Sequence, residues 1–554
     1  GDGIISVGDF QLTNSQIVEN AQPEPFEFDL DKYLPVSGLA PSSNTMGLYQ
    51  ILESIEQAKN DPNVKGIYLH PGMGVAAGWA SLQSIREALL DFKSAGKFIY
   101  AYSEIYSESS YYLASTADKV FMPPQGMMEL NGFGTSRMFY AKMFKKLDIK
   151  PQVFKVGTYK SAVEPYLLEQ MSDSARYQTE QYLGDLWEIF AEDVSVSRGK
   201  SLDDLNNLAN TFLLGKGDKA LKAGLIDAVA FDHEVEKAMK AEVGLESDDK
   251  LKYLGFKKYM RVPGKANVSR NKIAVIFADG AIQSGKSSEG VVGSASVVKA
   301  LRKAREDNTV KAVVLRINSP GGSALASDMM AKEVELTSEV KPIVASMGDV
   351  AASGGYYIAA QADRIFAQEN TITGSIGIFG LFFNTNELFG NKLGLTFDEV
   401  ETHDYANMGD PNFPLSPFEK DFLQKNVEDG YSTFIEVVRS GRGFADSAAV
   451  DKIAQGRVWS GRDAKGINLV DDYGNLQDAI AYAAEQAGIQ DDFRIRRSPK
   501  IETPLDEIMS QMVKTELVSP DHPLYQEYQT LKELKRSIPG SGTYMMLPYQ
   551  IKVE

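Results

Sequence analysis

The sequence predicts an α/β protein of two tandem, duplicated domains. Three observations carry that expectation. The first is a long internal repeat. Val64-Lys65-Gly66-Ile67-Tyr68-Leu69 recurs as Val310-Lys311-Ala312-Val313-Val314-Leu315, and Tyr111-Tyr112-Leu113-Ala114 recurs as Tyr356-Tyr357-Ile358-Ala359. Leu225-Ile226-Asp227 recurs as Leu469-Val470-Asp471. From Val64 to Val310, Tyr111 to Tyr356 and Asp227 to Asp471 the steps are 246, 245 and 244 residues, so the register barely drifts. The second is alternation of short β-branched runs with helical stretches, which implies βαβ units with right-handed crossovers. The third is length: 554 residues exceed one core and suit two large units with extensions. A period this long marks a duplicated domain rather than a solenoid unit.

In chain order, residues 1–45 are rich in Asn, Gln, Pro and Asp and read as an N-terminal arm. Residues 46–240 form the first repeat. Residues 241–271, with a polar stretch at Glu242–Lys250 and the Pro263-Gly264 turn, read as a linker. Residues 272–490 form the second repeat. There Ile273–Phe277, Ala312–Ile317 and Pro342–Ser346 read as buried parallel strands. Ser294–Glu306 and Ala324–Ser338 read as the helices between them. Residues 491–554 carry Pro499, Pro504, Pro520, Pro523, Pro539 and Pro548 and read as a C-terminal extension that wraps a neighbour.

Composition narrows the function classes. Hydrophobic content of 43% and charged content of 24% are ordinary for a globular protein. A net charge of −17 argues against nucleic acid, whose phosphates require basic patches. Without cysteine there is no disulfide and no thiolate site. No apolar run approaches the ~20 residues that span a bilayer. The chain begins at Gly1 rather than Met, so the sequence is compatible with a membrane anchor ahead of it.

The repeat register exposes complementary losses. Ser353 of the second copy faces Glu108 of the first, and Lys160 of the first faces Ala406 of the second. Tyr159 and Pro165 persist as Tyr405 and Pro411 around that second loss. Two half-sites of this kind can assemble one active site. Ser353 lies in Met347-Gly348-Asp349-Val350-Ala351-Ala352-Ser353-Gly354-Gly355-Tyr356, between a strand and a helix start. A helix N-terminus offers the free N–H groups that a developing oxyanion needs. The plainer reading is tight Gly/Ala packing with the serine as a cap. Two further loops sit in the same repeat. Asn318-Ser319-Pro320-Gly321-Gly322-Ser323 follows a strand directly, and Thr373-Gly374-Ser375-Ile376-Gly377 comes later. Their first-repeat counterparts, His70-Pro71-Gly72-Met73-Gly74 and the stretch near Met128–Gly132, lack these motifs.

A serine hydroxyl needs a base. The histidines are His70, His233, His403 and His522, of which His403 is the most plausible base, though it reads better as a solvated loop residue. Lys160 is the better base, provided burial lowers its pKa so that it is neutral. The alternative is an ordinary surface lysine. Ser94-Ala95-Gly96-Lys97 and Ser296-Val297-Val298-Lys299 match a Ser-x-x-Lys pattern by chance, since no accompanying Ser-Asp-Asn or Lys-Thr-Gly motif exists.

With Asn-Ser-Pro-Gly-Gly-Ser, Ala-Ala-Ser-Gly-Gly-Tyr, Thr-Gly-Ser-Ile-Gly and Gly-Thr-Tyr-Lys-Ser-Ala, the chain resembles the long, tandem-repeat form of signal peptide peptidase A, or protease IV, over about residues 45–490. The resemblance implies a Ser–Lys dyad serine peptidase on the crotonase/Clp-protease-like fold. It carries the nucleophile to Ser353 and the general base to Lys160, and it suggests Ser375 as the hydroxyl that orients the lysine. It implies a bacterial inner-membrane enzyme, anchored by a segment ahead of this chain, with its catalytic part in the periplasm. A homotetramer acting on signal-peptide remnants and other apolar peptides is implied as well. The oxyanion donors expected on this reading are the N–H groups of Gly354 and of Gly321 or Gly322, with no metal or organic cofactor required. Two rival readings remain at this point: a crotonase-like acyl-CoA hydratase or isomerase, and a non-catalytic scaffold.

Overall fold

The computed structural model describes residues 6–12, 15–19, 45–211, 215–259 and 269–498, and the backbone of 542–546. Most of the expected arm and extension, part of the linker, and His522 lie outside the described residues.

The first half contains β1 (Ser6–Gln11), α1 (Leu48–Asn60), β2 (Val64–His70), α2 (Trp79–Ser94), β3 (Phe98–Tyr102), α3 (Glu108–Ala114), β4 (Lys119–Met122), β5 (Lys150–Lys155), α4 (Asp173–Arg198), β6 (Ala228–Val229) and β7 (Lys252–Gly255). Its main sheet runs β6-β4-β3-β2-β1-β7, with every neighbour parallel. Strands buried on both faces need continuous apolar runs, and Ile67, Tyr68 and Leu69 of β2 are all buried.

The second half contains β8 (Lys272–Asp279), β9 (Ala281–Gln283), β10 (Val291–Gly293), α5 (Ser294–Glu306), β11 (Val310–Ser319), β12 (Gly321–Ser323), α6 (Ala324–Ser338), β13 (Ile343–Ala352), α7 (Gly354–Ala359), β14 (Ile372–Gly374), β15 (Phe379–Asn384), α8 (Pro417–Arg442), β16 (Val458–Ser460), β17 (Arg494–Ser498) and β18 (Gly542–Met546). Its main sheet has eight strands: β16-β14-β13-β11-β8-β17 form one path, with β16 antiparallel to β14, and the short strands Arg364–Ala367 and Asp472–Tyr473 branch in parallel from β13, as β4 and β6 continue from β3 in the first half. The tandem α/β architecture is the one expected, and both helices named from the sequence have the expected ends.

Four segments depart from the sequence-based boundaries. Residues 6–11, expected in the arm, pair with both β2 and β7 inside the first sheet. Residues 252–255, expected in the linker, form that sheet's edge. Residues 494–498, expected in the extension, pair parallel with β8. The strand expected to end near Ser346 continues to Ala352, directly before Ser353. In each case the pairing partner is distant in sequence, so no local pattern announces it.

A third sheet joins the halves. It runs β10-β9-β12-β18-β15-β5, so β5 of the first half lies antiparallel on β15 of the second. This crossing carries the following loop, with Lys160, into the second half.

The seam is polar. Helix α2 is buried nearly all round, with Leu82, Ile85 and Leu89 facing the first core. On its other side Asp349 accepts hydrogen bonds from Ser81 N and Ser81 Oγ, both at 2.7 Å. Asp349 thereby caps a helix that has no side-chain cap of its own. Arg316 of β11 and Glu19 of the N-terminal segment, each 2% exposed, form a two-pronged ion pair at 2.8 and 3.0 Å. Arg316 also donates to Ser346 Oγ and Met347 O, which satisfies the buried guanidinium.

Candidate active site

Ser353 sits where β13 ends and α7 begins, with φ 55° and ψ −116°. Such a conformation is strained for a side-chain-bearing residue. Among the described residues five non-glycines have positive φ, and three of them, Ser353, Ser375 and Gln455, belong to this one site. Ser353 N donates to Gly374 O at 2.8 Å, which fixes the turn. The two glycines that follow are dictated by close approach. A Cβ on Gly355 would stand 2.6 Å from Ser319 O, and one on Gly354 would stand 2.5 Å from Ser327 Oγ. The first turn of α7 is thus pressed onto β11 and β12.

Lys160 enters from the other half. Its Nζ lies 2.9 Å from Ser353 Oγ, 3.0 Å from Ser375 O and 3.1 Å from Ser375 Oγ. All three residues are 0% exposed. Burial pushes the lysine's pKa well below the ordinary lysine value. Ser353, Lys160 and Ser375, the three side chains expected from the sequence, therefore meet in one water-poor crevice.

The family model for Peptidase family S49 matches residues 91–246 and again residues 335–490. The chain belongs to peptidase family S49. One matched copy lies in each half, so this is a tandem member and a serine peptidase. Protease 4 of Salmonella typhi is 40% identical over 453 residues, which is 80% of this chain and 72% of that protein. Protease 4 of Haemophilus influenzae is 38% identical over 460 residues, 81% of this chain and 74% of that one. The chloroplastic serine protease SPPA of Arabidopsis thaliana is 36% identical over 455 residues, 80% of this chain and 66% of that one. Among solved structures, ClpP1 from Listeria monocytogenes aligns over 37% of this chain and 92% of its own, at 16% identity and a TM-score of 0.24.

In this S49 chain the two glycines of the loop after β11 differ in what they offer. Gly321 N donates to Ser319 Oγ at 3.1 Å, so that donor is already engaged. Gly322, at φ 156°, packs so closely that a Cβ would stand 2.1 Å from Ile282 O. An added Cβ on Gly354 would lie 3.3 Å from Gly322 N, which places the Gly322 and Gly354 backbones side by side near Ser353.

The sequence reading missed the support beneath the lysine. Gln455-Gly456-Arg457 runs between the loops that carry Lys160 and Ser375. Tyr159 N donates to Gln455 O at 2.9 Å, Gly456 N to Ile376 O at 2.8 Å, and Ser375 N to Arg457 O at 2.6 Å. The Arg457 guanidinium stacks 3.9 Å from the Trp459 ring centroid and 5.4 Å from that of Tyr159. A lone Gln-Gly-Arg ahead of a three-residue strand carries no sequence signature of such a role.

The rival candidates lie elsewhere. His403 is exposed and pairs with Thr402 Oγ1 at 3.1 Å. His70 lies 3.6 Å from Asp9. Lys97 donates to the Ala58 and Asp61 carbonyls, and Ser296 Oγ accepts from Ser287 N. Glu108, where the first repeat would carry its serine, is buried and accepts from Asn131 N at 2.7 Å. Burial raises its pKa. Among the described residues no cluster of three or more His, Asp or Glu is arranged to hold a metal.

Proposed function

We propose that this S49 peptidase cleaves peptides with a Ser353–Lys160 dyad oriented by Ser375. The observation that carries the reading is the 2.9 Å approach of Lys160 Nζ to Ser353 Oγ in full burial. A neutral amine has two N–H donors and one lone pair. The lone pair accepts the Ser353 hydroxyl, and the two N–H groups suit Ser375 O and Ser375 Oγ. In the first step the amine takes the Ser353 proton as Oγ bonds to the scissile carbonyl carbon. The carbonyl oxygen becomes an oxyanion held by the N–H groups of Gly354 and Gly322. The ammonium then returns the proton to the leaving amine as the C–N bond breaks. Water, deprotonated by the same lysine, releases the acyl group and restores the serine.

The path of the peptide is suggested by the chain's own strand β18. It lies antiparallel to both β12 and β15, with Gly322 opposite Met545 and Phe379 opposite Tyr544. An extended substrate taking the place of β18 between these two strands would gain backbone hydrogen bonds by strand addition and pass beside Gly322 and Gly354. Helix α6, which follows β12 and contacts β18, exposes Leu325 and Met329 and so offers apolar surface there. This favours apolar substrates such as signal-peptide remnants. The resemblance to signal peptide peptidase A favours a bacterial membrane-associated, periplasmic setting. No helix among the described residues is long and apolar enough to cross a membrane.

The repeat also supports an assembly of several copies. The segment carrying Lys160 docks onto the second half, whereas its second-half counterpart leaves Leu393, Leu395, Val400 and Tyr405 exposed. A second copy of the chain would cover that surface, leading toward a homotetramer. Light scattering of the purified chain should give a multiple of the 60.8 kDa protomer. A strictly monomeric mass at micromolar concentration would overturn this part.

The direct test is labelling by a serine-directed fluorophosphonate followed by peptide mapping. Ser353 should carry the label, whereas a hydratase or a scaffold would take none. The rate should also depend on pH in a defined sense. Only the neutral amine accepts a proton, so kcat/KM should rise with pH through a midpoint well below the ordinary lysine value of 10.5 and then level off. A profile flat from pH 5 to 10 would exclude Lys160 as the base.

A further inference from the structure

Gln178 occupies a position where a polar side chain is costly. It lies on α4 with 0% exposure, on the stripe shared with Ala175, Tyr182 and Leu186. A buried amide is tolerated only when its polar atoms are paired. Here Nε2 donates to Tyr159 O and to Ser161 Oγ, both at 3.0 Å, and Oε1 accepts from Val458 N at 3.1 Å. The partners fix which end is which, because a carbonyl can only accept and a backbone N–H can only donate.

We infer that Gln178 is the positioning residue for the Lys160 base, gripping the residue on each side of the lysine and tying both to the strand that supports Ser375. The inference rests on the dyad reading. Tyr159 and Ser161 flank Lys160, so holding both fixes the point from which its four side-chain torsions extend. Val458 pairs with Gly374 across β16 and β14, and the preceding Arg457 carbonyl accepts from Ser375 N. One amide therefore couples the base to the group that orients it, across the seam of the two halves.

A merely structural contact is available for comparison on the same helix. Asp185, seven residues further along, accepts from Ser460 Oγ at 2.6 Å and bonds to neither catalytic loop. Seven residues beyond it, Glu192 pairs with Arg462. Residues 178, 185 and 192 of α4 thus meet 458, 460 and 462 of the second half, and of the three only Gln178 bonds to the lysine loop.

The test uses the full chain and compares Gln178→Met, Gln178→Glu, Asp185→Ala and Lys160→Met. Each is measured for kcat and KM on a fluorogenic peptide, fluorophosphonate labelling rate, pH midpoint and Tm. Gln178→Met keeps the volume and removes all three bonds. It should lower kcat and labelling rate by about 10²-fold, the cost of a misplacement near 1 Å, with KM within about twofold. Its pH midpoint should move to higher pH as water reaches the amine. Gln178→Glu still accepts from Val458 but cannot donate to Tyr159 O. Its carboxylate favours the ammonium, so its midpoint should move further up. That variant also serves where Gln178→Met fails to fold. Asp185→Ala should lower Tm while leaving kcat and midpoint unchanged. Wild-type kcat and midpoint in a folded Gln178 variant, beside an inactive Lys160→Met, would overturn the role of Gln178 alone. Equal shifts in Asp185→Ala would overturn it too. An active Lys160→Met would instead overturn the dyad.

Discussion

Ser353→Ala and Lys160→Met are each expected to lower kcat/KM on a peptide substrate by about 10³–10⁶-fold. The double variant should be no worse than the weaker single one, because nucleophile and base act as a unit. Lys160→Met tests a second consequence, in stability. The folded-state pKa of Lys160 is depressed by burial, whereas the unfolded chain carries an ordinary lysine near 10.5. Between those two values the unfolded state binds one more proton than the folded state. Folding stability of the wild-type chain therefore rises with pH across that window. Near neutral pH, keeping this amine uncharged is a standing cost of about 1.4 kcal/mol per unit of depression. Methionine carries no such cost, although it forfeits three hydrogen bonds worth roughly 1 kcal/mol each. Whatever that balance at pH 7, the Tm of Lys160→Met minus that of the wild type should fall as pH rises towards 10. The two are read by peptide turnover and by thermal melts at several pH values. A difference in Tm independent of pH would mean that the buried lysine is charged, and the base assignment would fail with it.

The groups that the structure brings together, Ser353, Lys160 and Ser375, were legible in the sequence for a physical reason. A nucleophile on a strained turn needs glycines beside it for close packing, and Gly354 and Gly355 supply them. A duplicated register then exposes which copy lost which group, as Glu108 and Ala406 do. The supports were not legible. Gln178 looks like one more polar residue of an amphipathic helix. The one available signal was its spacing, since Ala175, Gln178, Tyr182 and Leu186 follow the helical period and a glutamine there interrupts an apolar stripe. Strand pairings such as β1 with β2, or β5 with β15, depend on partners tens to hundreds of residues away. Composition read β1 as part of an extended arm because the N-terminal residues are rich in Asn, Gln, Pro and Asp. Only burial of Val7 and Phe10 against the first half's cores makes it a strand. Fold class and candidate site residues are thus written locally, whereas the seam that brings those residues together is written in tertiary contacts.

Gly456→Ala is expected to reduce kcat by about 10²-fold or more while the chain remains folded. The lysine loop meets the serine half backbone to backbone. A Cβ on Gly456 would stand 2.7 Å from Lys160 N, Cα and Cβ, and one on Gly157 would stand 2.4 Å from Gln455 O. A Cβ on Gly377 would lie 3.3 Å from Lys160 Cδ. These glycines leave no flexible side chain to yield, so an added methyl must move the loop itself. Moving it withdraws Nζ from Ser353 Oγ, and proton transfer decays steeply once that contact exceeds hydrogen-bond reach. Gly456 also has φ 77°, so alanine adds backbone strain on the order of 1–2 kcal/mol. Gly443→Ala separates the two effects. It stands at φ 68° after α8 with nothing within 4 Å of an added Cβ, so it should lose comparable stability and keep full activity. Paired measurements of kcat and Tm decide between them. If both variants lose Tm alike but Gly456→Ala keeps wild-type kcat, the lysine loop has room to shift without consequence, and a tightly held base is not what this seam provides.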